Sequence, residues 1–110
     1  MPKDDTIFLP IPVRFRNNMS KTELYEATRG DWRVAYARHG NIKYAVAVVD
    51  RLIKKVYEVK SWKRASKGKW KFCGKVMEEH DDLIDLPTPG KSQGTVYYGD
   101  FSELMSLKSR

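Results

Sequence analysis

Apolar positions along the chain fall mostly into short runs with a period near two, separated by turn residues. Ile7-Phe8-Leu9-Pro10-Ile11-Pro12-Val13 is apolar and β-prone, but its two prolines donate no ladder hydrogen bond. The run therefore suits an edge or opening strand better than a central one. Asn17 to Gly30 reads as a short helix. Ser20 and Glu23 have the capping-box spacing, Leu24 and Ala27/Thr28 share a face, and Gly30 suits the left-handed position past the C-terminus. Lys43 to Val49 is almost continuously apolar, as in a strand buried on both faces.

Asp50-Arg51 interrupts that run and a second follows from Leu52 to Trp62, which predicts a hairpin. Arg51 disfavours the positive φ of a two-residue primed turn, so the turn type stays open. In the second run Ile53, Tyr57 and Val59 share a face with Lys55 as a misfit, while Lys54, Val56, Glu58, Lys60 and Trp62 take the other. Ala65-Ser66-Lys67-Gly68 is turn-like. Lys69 to Met77 then alternates: Trp70, Phe72, Gly74 and Val76 on one side, Lys69, Lys71, Cys73, Lys75 and Met77 on the other. Met77 to Leu86 is acidic, with room for one or two helical turns before Pro87-Thr88-Pro89-Gly90. Gly94 to Asp100 reads as a last strand and Ser102 to Ser109 as a short terminal helix. About five strands with one or two short helices predict an α+β fold, a small mixed sheet curled into a half-open β-barrel.

A length of 110 residues fits a single domain over 1–110, with a core at about 7–101 and peripheral segments at 1–6 and 102–110. No apolar run approaches the ~20 residues of a membrane span, so no membrane association is expected. Cys73 is the one cysteine and His39 and His80 are the two histidines, which argues against a disulfide or a metal site and for a reducing, cytoplasmic compartment. No cofactor is expected.

Charge changes the picture more. The net charge is +7, and it is not evenly spread. Residues 51–75 hold ten basic side chains against Glu58 alone, residues 1–50 are nearly balanced, and residues 76–110 are net acidic. Cations clustered in one segment favour an anionic partner. The same segment carries Tyr57, Trp62, Trp70 and Phe72. Lysines and arginines that meet phosphates, interleaved with rings on which unpaired bases stack, are the ingredients of a nucleic-acid surface. The turn at Ser66–Gly68 projects Arg64, Lys67 and Lys69 together. Lys54, Lys55, Lys63, Arg64, Lys67, Lys69 and Lys71 are the candidate nucleic-acid contacts. The plainer reading is that alternating lysines form a solvated strand face that also protects an edge. Trp62 and Trp70, taken singly, read first as core residues. Trp32, flanked by arginines outside the obvious strands, reads as the better pocket-lining ring.

No phosphate-binding glycine loop, nucleophile elbow or metal-binding signature occurs. His39 in a loop and His80 in an acidic turn read as surface residues before they read as general bases. Glu58 reads first as a structural counter-ion and second as a pocket carboxylate.

The opening strand, Ser20-Lys21-Thr22-Glu23 with the following Arg29, the hairpin Tyr44–Val48 to Val56–Val59, and the aromatic strand Trp70-Lys71-Phe72 together resemble the PUA-like superfamily of small barrels, especially its ASCH and EVE branches. The lysine of the ASCH motif falls on Lys21. That resemblance implies a cleft beside the first helix that binds RNA, a modified base or a nucleoside, with Lys21, Arg29, Trp32 and Arg33 as the pocket. It also implies a hydrolase alternative acting on a modified nucleoside, with Lys21, Thr22 and Glu58 as the catalytic set. The first expectation is a nucleic-acid-binding module, more a binder than an enzyme, for RNA or for single-stranded or modified-base nucleic acid. A small inhibitor or accessory protein that docks on an acidic protein surface is the other alternative. The oligomeric state is open.

Overall fold

The computed structural model describes residues 5–11, 18–30, 32–34, 39–65, 67–88 and 96–107. Five strands, β1 (Thr6–Pro10), β2 (Tyr44–Val49), β3 (Leu52–Arg64), β4 (Trp70–Val76) and β5 (Tyr97–Gly99), form one sheet in the order β4-β3-β2-β1-β5. Helix α1 (Lys21–Arg29) lies between β1 and β2, which run parallel; the other pairs are antiparallel. A 3₁₀ turn, Glu78–Leu83, follows β4, and helix α2 (Phe101–Leu107) follows β5. The fold is α+β with a mixed sheet. Among the described residues no pairing joins β4 to β5, so the sheet stays open. No helix among them is long and apolar enough to cross a membrane, and no group of three or more His, Cys, Asp or Glu side chains is placed to hold a metal ion.

Both faces of the sheet are covered. On one, Ile7, Leu9, Ala45, Ala47, Tyr57 and Phe72 pack with Trp32, Val34 and the α1 side chains Leu24 and Tyr25. On the other, Phe8, Val46, Val48, Ile53 and Val56 pack with Leu83 of the 3₁₀ turn and Leu104 of α2. This explains the unbroken apolar run of β2, whose residues Ala45 to Val48 are all buried.

β1 departs from the expectation of an edge strand. It lies inside the sheet, between β2 and β5. Pro10 is tolerated because of where its backbone N points. The Ile11 N–H donates to the Val48 carbonyl at 2.9 Å, so the Pro10 nitrogen, one residue earlier, faces the β5 side. Among the described residues β5 pairs with Thr6 to Phe8 and stops short of it. Pro12 lies outside the described residues, as do Ser66 and the stretch 89–95.

Two bulges explain the misfit pattern of β3. Ile53 pairs with Val48 and Lys55 with Ala47, leaving Lys54 extra; Val59 pairs with Gly74 and Ser61 with Cys73, leaving Lys60 extra. Each extra residue flips the parity of the strand beyond it. Ile53 thus joins Val56 on the α2 side and Trp62 turns to the α1 side, while Lys55 stays on the α1 side with Tyr57. The β2–β3 turn is the two-residue form that Arg51 argued against, with φ of 52° at Asp50 and 66° at Arg51.

Helix α1 begins as its capping box dictates: the Ser20 hydroxyl accepts from the Glu23 N–H at 3.1 Å and the Glu23 carboxylate accepts from the Ser20 N–H at 2.9 Å. Its end differs from the expected left-handed cap, because Gly30 is extended (φ −167°). Glycine is needed there for close approach, since a Cβ would lie 2.4 Å from the Lys71 Cβ. The chain leaving α1 runs along the outer edge of β4 and occupies its hydrogen-bonding groups. Trp32 and Trp70 exchange two backbone bonds of 2.8 Å, Arg29 Nε donates to the Phe72 carbonyl at 3.1 Å, and the Gly74 N–H donates to the Tyr25 hydroxyl at 3.0 Å. An edge satisfied in this way does not template another strand.

Candidate functional site

The β3–β4 hairpin extends past the rest of the sheet and carries the charge that the sequence singled out. Its end is closed by the Ala65 N–H, which donates to the Lys69 carbonyl at 3.0 Å, and by Gly68 with φ +67°. Lys63, Arg64 and Lys67 are exposed there, and Lys69 and Lys71 are half-buried. Arg33, exposed on the strand-like segment beside β4, brings its guanidinium next to Gly68.

Directly behind these cations the rings of His39, Trp62 and Trp70, with Gly40 and Ser61, line an open cleft of about 340 Å³. The His39 ring stacks on Trp62 at 5.1 Å and meets Trp70 edge-on at 4.4 Å. The Arg64 guanidinium lies over the other indole, 5.3 Å from the Trp70 ring centre, within cation–π range. The bulge at Lys60 is what turns Trp62 to this side. The Trp62 indole N–H is enclosed and has no hydrogen-bond partner among the described residues.

The roles of the three tryptophans are therefore exchanged relative to the sequence reading. Trp32 is not a pocket ring: it is core, 9% exposed, with its indole N–H donated to the Thr28 carbonyl at 2.7 Å. Trp62 and Trp70 are half-buried and line the cleft instead. His39, read as a surface residue, is the third wall. Only its neighbours in sequence, a glycine and an arginine, hinted at a loop, and no local spacing points to its partners some twenty to thirty residues away.

The rest of the basic segment divides. Lys54 Nζ lies 2.6 Å from Asp85, and Lys55, 7% exposed, sits 3.0 and 3.1 Å from the two carboxylate oxygens of Asp81. Both are bound to acids at the far end of β3 and are not brought to the hairpin tip. The expected pocket of Lys21, Arg29, Trp32 and Arg33 does not assemble. Lys21 and Arg29 stand at opposite ends of α1, and Arg29 is spent on the Phe72 carbonyl, the Cys73 sulfur at 3.1 Å and Glu26 at 3.4 Å.

The candidate catalytic set is split as well. Lys21 and Thr22 share the lining of a smaller cleft of about 210 Å³, but Glu58 does not contribute to it. Glu58 follows Tyr57 on β3 and so points to the opposite face. There it pairs with Lys60 at 3.2 Å and Lys75 at 4.0 Å, the counter-ion role. Lys21 is bound to Glu78, which raises the lysine pKa and lowers that of the carboxyl through hydrogen bonding and charge. Lys21 is thus held as an ammonium, the opposite of what a general base needs.

No protein-family model, curated protein or solved structure matches the chain.

Proposed function

We propose that this chain is a nucleic-acid-binding module that holds an unpaired strand at the end of the β3–β4 hairpin. Lys63, Arg64, Lys67, Lys69 and Arg33 meet the phosphates, and a base enters the cleft of His39, Trp62 and Trp70. The observation that carries the reading is the adjacency of an open three-ring cleft and exposed cations at the hairpin tip. Base stacking on such rings contributes roughly 1–3 kcal/mol per base, and each phosphate contact releases counterions. A surface built for an acidic protein would need its cations but not an open cleft lined by half-buried rings, so the cleft favours nucleic acid over the accessory-protein alternative. The half-open barrel of the PUA-like resemblance belongs to the same proposal, supported by the mixed sheet with α1 on one face.

Fluorescence anisotropy with labelled single- and double-stranded RNA and DNA, across a salt series, tests it. Single strands should bind more tightly than duplexes, with affinity falling steeply as salt rises. Combined Arg64→Glu, Lys67→Glu and Lys69→Glu should flatten the salt slope by about 2, at roughly 0.7 for each phosphate no longer neutralised. Binding that is weak, equal for all forms and unchanged by the triple reversal in a folded protein would refute the reading.

A further inference from the structure

A second cleft, of about 210 Å³, lies on the α1 side of the sheet, between the first turn of α1 and the far end of the β3–β4 ladder. Tyr25, Tyr57 and Val76 wall it, and Lys21, Thr22 and Lys75 are also in its lining. Its inner surface holds an unsatisfied polar group. Tyr57 is 1% exposed, and its hydroxyl is enclosed without a hydrogen-bond partner among the described residues. The nearby Thr28 hydroxyl donates to the Leu24 carbonyl at 2.7 Å and makes no hydrogen bond with Tyr57. Burial pushes the Tyr57 phenol well above the ordinary tyrosine range, so the group keeps its proton and is a donor without an acceptor.

A second phenol stands beside it, with ring centres 5.5 Å apart. The Tyr25 oxygen already accepts from the Gly74 N–H, which leaves its own proton to be donated. Two phenol donors with aromatic and aliphatic walls define what fits: a flat apolar body carrying a strong hydrogen-bond acceptor, as a carboxylate does. The acids nearby do not oppose this. Asp81 is neutralised by Lys55, Glu78 by Lys21, and Glu58 faces the other side of the sheet with Lys60 and Lys75.

We propose that this cleft is a binding site for a small carboxylate, its carboxyl oxygens taking the protons of Tyr57 and Tyr25 and its apolar body lying against Val76 and the tyrosine rings. The site is separate from the hairpin tip and stands whether or not that tip binds nucleic acid.

Benzoate is a suitable probe, because a single six-membered ring fits the volume, and benzylamine is the control of equal size and opposite charge. In a ¹H–¹⁵N NMR titration of the whole chain, benzoate should give saturable shifts at the amides of Gly74, Lys75 and Val76, with a Kd of about 1 mM or below. Benzylamine should give none. Tyr57→Phe deletes the orphan hydroxyl and keeps the ring. It should weaken benzoate about tenfold, the loss expected for one hydrogen bond to a charged acceptor, while the other amides stay in place. The proposal is overturned by shifts that do not saturate, by equal binding of benzylamine, or by a folded Tyr57→Phe that binds benzoate as well as the parent. Should Tyr57→Phe not fold, Tyr25→Phe, which deletes the second phenol donor, replaces it: a several-fold loss of benzoate affinity supports the site, and unchanged affinity overturns it.

Discussion

Single residues decide the geometry here through what their side chains lack as much as through what they carry. At Gly74 a Cβ would come 1.9 Å from the Glu58 carbonyl oxygen and 3.0 Å from its carbon. Both are backbone atoms of the neighbouring strand, so no rotamer change relieves the overlap. Gly74→Ala should therefore force β4 away from β3 just beyond the Lys60 bulge and cost about 3 kcal/mol, the upper part of the range for overpacking. Gly40 is the internal control, because among the described residues a Cβ there meets nothing within 4 Å. Gly40→Ala should stay within about 0.5 kcal/mol of the parent in urea unfolding. Equal effects of the two substitutions would show that the strand contact does not set the requirement. The exchange of tryptophan roles is also a residue-scale result. Trp32 is drawn into the core because its indole N–H finds the Thr28 carbonyl at the end of α1. Trp62 and Trp70 lie at the far end of a hairpin that outruns the rest of the sheet, where little chain is left to bury them.

Elements were legible wherever a local pattern decided them. The capping box of α1, the doubly buried β2, the alternation of β4 and the acidic 3₁₀ turn all follow from nearby residues. Where the reading failed, the deciding contact was remote. The interior place of β1 depends on how short β5 is, and the faces of β3 depend on two bulges that no run of β3 residues announces. The candidate site was legible as a charged, aromatic hairpin, but not as a cleft, because His39 reaches it from a separate loop. The turn between β2 and β3 is a further case: Asp50 and Arg51 are both left-handed despite carrying side chains. Tertiary pairing outweighs their preference, since Val49 pairs with Leu52, and the Thr88 N–H donates to the Arg51 carbonyl at 2.9 Å. Each such residue costs about 1 kcal/mol relative to glycine. Arg51→Gly should accordingly raise stability by about 0.5 kcal/mol, the relief that remains after the extra backbone freedom gained by the unfolded chain, of roughly 0.4–1 kcal/mol, is offset. The urea midpoint should rise without a change in slope. A fall would mean that the Arg51 side chain holds the turn.

At the scale of the molecule, the basic segment is long in sequence but its cations divide by position along β3. Near one end, Lys54 and Lys55 are met by Asp85 and Asp81 beside the 3₁₀ turn; at the other, Lys63 and Arg64 are exposed with Lys67. The strand is 13 residues long, so these ends lie roughly 30 Å apart at about 3.3 Å per residue. That exceeds the Debye length of about 8 Å at physiological ionic strength, and the two groups act independently toward a charged partner. A ligand drawn by net charge alone would respond alike to the loss of any lysine. A ligand held at the hairpin tip would not. Lys63→Gln should reduce the salt slope of single-strand binding by about 0.7. Lys54→Gln should leave that slope unchanged and cost only the modest stability of a pair whose acid is largely exposed. Measuring both variants at four or more salt concentrations separates the cases, and equal slopes for Lys54→Gln and Lys63→Gln would place the phosphate contacts along the whole strand instead of at its tip.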